Sequence, residues 1–375
     1  MLLASIAIFI SVFVPAVRGG SAVWQPQLQH NNHDLVVTAE ESGYAVKGGL
    51  ARRDLLQKRY FAMKPDPVRR RWPQRTISYC YESTAARGAL HKSLIAATNL
   101  WKTAGLASAA YKYKEIADPG SSCTGHEDRH QILVISITPD QWTTDQDAGY
   151  ATVGVPALDD RKPDYVGPEM YINHNLYVAE GKTRFVATIA HELGHVWGLY
   201  HEHQNKLFWE LPYSSSQGQV FGTNFHCARF HDYAAARDRI REKYPNDPAE
   251  LERVTGLICR IMSFAQDYHF SAASYLPEGS SAAMQWPNEI PRTGATNNYV
   301  DWSSVMIYAG GDMLLKNDGS SFDENDKPSQ GDIVGIRKIY DDAFSAHEFP
   351  TLPSSTKSPF YTKWKDMVKK KVCKE

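Results

Sequence analysis

A chain of 375 residues exceeds what one small domain needs and suits one sizeable domain with appendages. Charge nearly cancels, with 42 Asp+Glu against 41 Lys+Arg, and both signs are spread along the chain. Nothing in that balance marks a nucleic-acid partner or a stable membrane-surface association.

In chain order, Leu2 to Val17 is an apolar run interrupted by Ser5, Ser11 and Pro15. It is short for a bilayer span and suits the core of a signal peptide, with Gly19 to Ala22 offering small residues for cleavage. Its leading end carries no Lys or Arg, so a signal anchor is the alternative. No later segment is apolar enough to span a membrane, and the expected location is extracellular, after secretion. Residues 20–71 are polar and lack sustained periodicity. Arg52-Arg53, Lys58-Arg59 and Arg69-Arg70-Arg71 are either processing sites of a secretory precursor or ordinary solvated charges.

Folded-domain character begins at Trp72. Thr76 to Tyr81 is rich in β-formers. Ala85 to Leu106 carries Leu90, Leu94, Ala97 and Trp101 in helical register. Gln131 to Thr138 predicts a buried strand, Gly149 to Gly154 an edge strand, and Met170 to Asn173 a further short strand. An exposed edge at Gly149 to Gly154 would let a peptide add as an antiparallel strand. Thr183 is placed to cap a helix whose apolar residues Phe185, Ile189, Leu193 and Val196 face a core.

That helix runs into His191 to His203, HELGHVWGLYHEH, around which the chain is organised. His191 and His195 lie one helical turn apart on one face, so both imidazoles can reach a single metal ion. Glu192 projects about 100° around the helix from His191, beside the metal rather than on it, where a general base belongs. In a continuous helix His201 would lie about 15 Å beyond His191, so the chain must turn, and Gly198 permits that turn. Three histidines with a break between them predict a zinc site with its fourth position open, the catalytic arrangement.

Beyond the motif, Tyr233 to Tyr244 favours helix, and Asp247-Pro248-Ala249-Glu250 has the form of a helix start. Residues 277–299 read as loop. A Cys227–Cys259 bridge is reasonable in a secreted chain, and Cys80 with Cys123 is a second candidate. Five cysteines leave the pairing open and Cys373 odd. Pro328 to Tyr340 predicts a helix with Ile333, Ile336, Ile339 and Tyr340 on one face. Residues 346–375 are Pro/Ser-rich, then basic, and read as a mobile tail.

HELGHVWGLYHEH resembles the long zinc signature of the metzincin metalloproteases, and Glu202 after the third histidine resembles the astacin family within them. DWSSVMIY, Asp301 to Tyr308, is similar to the astacin Met-turn through Ser304, Met306 and Tyr308, with Ile307 in place of the usual histidine. RWPQRTISYCYE is similar to the opening strand of the catalytic domain, and PSQGDIVGIRKIY to its closing helix. The resemblance implies an α+β, metzincin-like fold in two subdomains, with a mixed twisted sheet, an active-site helix, a Met-turn and a C-terminal helix. It implies a secreted zinc endopeptidase acting on proteins or peptides. Zn2+ would be held by His191, His195 and His201, Glu192 would be the general base, and Tyr308 would swing from the metal to support the oxyanion. Met306 would floor the site.

The expected layout is a signal peptide over 1–20 and a propeptide over 21–59, extending to 71 if cleavage follows Arg71. A catalytic domain over 60–345 carries an insertion at about 205–300, and a basic tail covers 346–375. The insertion is expected to lie on the surface rather than line the cleft. The pro-segment has no cysteine and no FxGD motif, so neither familiar route to zymogen latency is present. Cleavage after Lys58-Arg59 would leave about 40 Å of extended chain before Trp72, enough to bring a Tyr60 amine to Glu202; the alternative makes Glu202 a solvated helix-end charge. A catalytically silent secreted binding protein of the same fold is the other functional reading, and it retains no missing ligand in its favour. No GxSxG elbow points to a serine hydrolase.

Overall fold

The structure is a computed structural model, and it describes residues 60–63, 65, 69–137, 149–156, 166–214, 218–278 and 297–340. The expected leader, the pro-segment through Arg59, the 346–375 tail, Cys373 and most of the 277–299 loop lie outside the described residues.

Five strands form the main sheet: β2 (Thr76–Tyr81), β3 (Lys112–Glu115), β4 (Leu133–Ile137), β5 (Gly149–Ala151) and β7 (Glu169–Ile172), in the order β3-β2-β4-β7-β5. The first four neighbours in that order pair in parallel, whereas β5 runs antiparallel to β7 along one edge. β4 reads LVISI because a central parallel strand is covered on both faces. A two-residue strand, β1 (Arg69–Arg70), pairs antiparallel with β6 (Val155–Pro156).

Two long helices pack together against this sheet. Helix α1 (Thr84–Ala104) is capped by Ser83, whose hydroxyl accepts from the Ala86 N–H at 3.1 Å, and it ends at Gly105 with φ 118°. Its Leu90, Leu94, Ala97 and Trp101 are buried, the register expected from their spacing. Helix α2 (Asn175–Trp197) starts earlier than a cap at Thr183 would place it and is interrupted at Gly181, whose φ of 82° breaks the helical path. Thr183 follows that break and is exposed, so it is not the helix's first cap. Trp101 Nε1 donates to Ala190 O at 2.9 Å, and Trp72 Nε1 to Val196 O at 2.6 Å, so two buried indoles satisfy their N–H on the same helix.

The remainder is largely helical: α3 (Tyr233–Lys243), α4 (Pro248–Ile258), α5 (Met262–Asp267) and α6 (Gln330–Tyr340). Asp247 caps α4 by accepting from the Glu250 N–H at 2.9 Å, as its sequence form predicts. Cys227–Cys259 closes α3 and α4 into a loop, and Cys80–Cys123 ties β2 to the turn after β3. Among the described residues no helix is long and apolar enough to cross a membrane.

Candidate metal centre

Helix α2 ends where its sequence requires. Gly198 takes φ 110° and its N–H returns to Gly194 O and His195 O, a left-handed helix cap. A Cβ there would come within 2.8 Å of Met63 Cγ and 3.0 Å of Ile339 Cδ1, so the turn needs glycine for space as well as for φ. The reversal brings His201 back to His191 and His195: the three residues each offer a ligand atom within 4.8 Å of one another, and all three are buried.

Each imidazole is held through its Nδ1. His191 Nδ1 donates to Val305 O at 2.7 Å, His195 Nδ1 to Leu199 O at 2.8 Å and His201 Nδ1 to Gln204 Oε1 at 2.7 Å. An acceptor on Nδ1 places the ring hydrogen there and leaves Nε2 as a lone pair. His201 Nε2 lies 2.9 Å from His195 Nε2 and 3.1 Å from His191 Nε2. Three lone pairs this close repel unless a cation sits among them. Three neutral imidazole nitrogens are also a donor set that zinc takes, so the residues fit the ion. Burial holds all three rings in their neutral, ligating form: His191 and His201 are pushed well below the usual histidine range and His195 down to about 4.

The segment beneath the histidines is anchored from α6. Asp332 accepts from Ser304 Oγ at 2.6 Å, from the Val305 N–H at 3.0 Å and from the Ser329 N–H at 2.8 Å. Val305, held this way, presents the carbonyl that fixes His191. Met306 then lies under the helix, where a Cβ on Gly194 would approach its Sδ to 2.3 Å. Gly194 is therefore required for that close approach, a role hidden in sequence because Met306 lies far downstream.

Glu192 is fully buried, and its Cγ would be 3.2 Å from a Cβ on Gly149, so it sits against the edge strand β5. The Tyr308 ring is buried against His201 (centroids 4.2 Å) and His191 (5.5 Å). Glu202 is buried rather than solvated, and accepts from the Asp301 N–H at 3.1 Å and from the Phe61 N–H. His191, Glu192, His195, His201, Glu202, Met306 and Tyr308 are thus brought together.

Within the expected insertion, α3 and α4 keep largely exposed outer faces, but one described segment is buried. Ser271 to Glu278 packs behind the third histidine, with Ser274 O against His203 Nε2 at 2.9 Å and Tyr275 OH donating to Ala309 O at 3.0 Å. The aromatic residues Phe230, Phe270 and Tyr275 form a buried edge-to-face cluster there, which a local reading of a loop-rich segment does not reveal.

A mixed sheet, two packed helices and three imidazoles converging beside the turn at Met306 make up an α+β scaffold with a buried three-histidine cluster. No family model matches the chain, and no curated protein sequence does. Among solved structures, a myroilysin structure shares 15% identity with a TM-score of 0.36, over 72% of this chain and 95% of that one. A second myroilysin crystal structure has 15% identity and a TM-score of 0.35, covering 72% of this chain and 86% of its own. High choriolytic enzyme 1, a hatching enzyme zinc-protease from the medaka fish Oryzias latipes, has 14% identity and a TM-score of 0.37, over 74% and 98%. Values this low leave the reading of this chain to its own residues.

Proposed function

We propose that the chain is a secreted, astacin-like zinc endopeptidase that hydrolyses peptide bonds in proteins or peptides. The observation that carries this reading is the convergence of three Nε2 lone pairs, each ring fixed through Nδ1, beside a buried glutamate. His191, His195 and His201 would hold the ion. When bound, zinc supplies Lewis acidity, which acidifies water and polarises a carbonyl.

The chain's own residues supply the rest. A peptide would add as an antiparallel strand along β5, the edge strand of the sheet among the described residues, so binding rests on backbone hydrogen bonds and tolerates many side chains. Glu192, against that edge, accepts a proton from the attacking water and returns it to the departing amine. Tyr308 donates its hydroxyl to the oxyanion that develops on the scissile carbonyl. Met306 shapes the floor and touches no reacting atom.

Secretion is supported by the two disulfides, which persist in oxidising compartments. The layout proposed is a signal peptide over 1–20, a propeptide over 21–59 and a catalytic domain over 60–345. The deciding experiment is Glu192→Gln with metal analysis and a peptide-library digest. Zinc stays at one per chain while hydrolysis falls by about 10²–10⁴-fold; proteolysis at the wild-type rate refutes the mechanism.

A further inference from the structure

Of the three histidines, two are held by backbone and one by a side chain. Val305 O and Leu199 O belong to the Met-turn and to the end of α2, which have little freedom. The partner of His201 Nδ1 is Gln204 Oε1, at the end of a flexible side chain. Such a contact fixes a ring only if the glutamine is itself fixed. Gln204 is buried, and its Nε2 donates to Leu276 O at 3.1 Å and to Ala273 O at 3.3 Å, while its own carbonyl accepts from the Glu278 N–H at 2.9 Å. Two carbonyls facing the amide nitrogen leave the amide oxygen for His201 alone, so the amide orientation is determined by its surroundings.

All three of those fixing groups come from the Ser271 to Glu278 segment of the insertion. That segment is pinned in turn: Asp232, at the start of α3, accepts from the Ser271 N–H at 2.7 Å and from Ser271 Oγ at 2.5 Å. A continuous path of bonds therefore runs from α3, across the arch that Ser271 to Glu278 forms, through one glutamine, to the third histidine.

We infer that Gln204 is the positioning residue of His201, fixing its tautomer and aim, and that through it the insertion tunes the affinity of the metal centre. The inference rests on the metal reading above. Partners of this kind are typically worth about 10–100-fold in metal affinity.

The test uses the full chain and measures the zinc dissociation constant by competition with a chromogenic chelator, alongside the Tm of the zinc-free protein. Gln204→Met keeps the volume and loses both kinds of bond; its zinc Kd rises by about 10–100-fold. Gln204→Glu keeps an acceptor for His201 but cannot donate to Ala273 O and Leu276 O. Its Tm therefore falls while its zinc Kd stays within about threefold of wild type or tightens, because a carboxylate accepts more strongly than an amide. A Gln204→Met protein that binds zinc like wild type overturns the inference. So does a Gln204→Glu protein whose affinity drops together with its Tm, since Gln204 would then only tether the arch; this second variant decides even if the first does not fold. A wild-type chain that takes up no zinc removes the metal reading itself, whereas wild-type uptake matched by Gln204→Met removes only the role of Gln204.

Discussion

Tyr308 packs its ring against two of the histidines, so its contribution to the fold and its contribution to turnover separate at the hydroxyl. Tyr308→Phe keeps those ring contacts. It should leave KM nearly unchanged and lower kcat by about 10²–10³, the cost of one lost oxyanion donor; steady-state kinetics on one peptide decides it, and unchanged kcat makes the tyrosine structural. Gly194→Ala tests the floor instead. The added methyl would meet Met306 Sδ at 2.3 Å and Trp101 Cζ2 at 3.3 Å, both on buried side chains, so overpacking should cost about 1–3 kcal/mol in a denaturant titration. These residues also show what can be read at this scale. His191, His195, His201, Glu192 and Gly198 were legible because helical periodicity and the need for a turn relate them locally. Gly194 and Gln204 were not, since each is explained only by partners far along the chain, Met306 in one case and Ala273 and Leu276 in the other.

Elements followed their periodicity wherever one face was buried. The buried strand β4, helix α1 and the capped start of α4 all stand where their spacing put them. β3 was missed because its run, KYKE, lies on a sheet edge with Lys112 and Lys114 exposed and Tyr113 its one apolar residue, so it lacks an alternating apolar signal. The start of α2 was misplaced because a helical segment beginning at Asn175 precedes the kink at Gly181. The insertion's role was hidden because α3 and α4 read only as helices of a surface insertion and α5 was not read at all, whereas the segment that follows them reaches His203 and Gln204. Cys227–Cys259 staples that unit across a separation of 32 residues. Loop closure of that length contributes about 3–4 kcal/mol. The Cys227→Ser/Cys259→Ser double variant should lose that amount in guanidinium unfolding, and a loss below about 1 kcal/mol would show that the packed aromatics hold the insertion unaided.

At the scale of the whole molecule, the first described residues and the last helix meet beneath the metal centre. Tyr60 to Met63 is entirely buried; Met63 N–H donates to Gly198 O, Tyr200 N–H donates to Phe61 O, and Tyr60 lies against Gly335 of α6. Three carboxylates crowd the same place, Glu202 and Asp332 buried and Asp301 half-buried. Asp332 is pushed up to about 7 by burial and by Asp301; burial also raises Asp301, and it raises Glu202 well above the carboxylate range. A folded-state pKa above the unfolded one means the folded chain binds the extra proton. The associated stability is present below the unfolded value of about 4 and is lost as pH rises through about 7. The buried histidines act oppositely, with His203 held down to about 4, but from the unfolded value of 6.5 upward their contribution is constant. From pH 6.5 through about 7 the carboxylates therefore set the slope. Our proposed cleavage after Arg59 would place a new amine on Tyr60, one residue from the Phe61 N–H that Glu202 already accepts. A positive charge there would favour the ionised carboxylates and remove their cost. The unprocessed chain should thus lose Tm as pH rises from 6.5 through about 7, while the processed chain, with Tyr60 first by amino-terminal sequencing, should stay nearly level and melt higher above that range. Calorimetry on both forms in the same zinc-loaded state separates them, and a mature chain beginning at Trp72, or parallel pH profiles, would rule out an amine at Glu202.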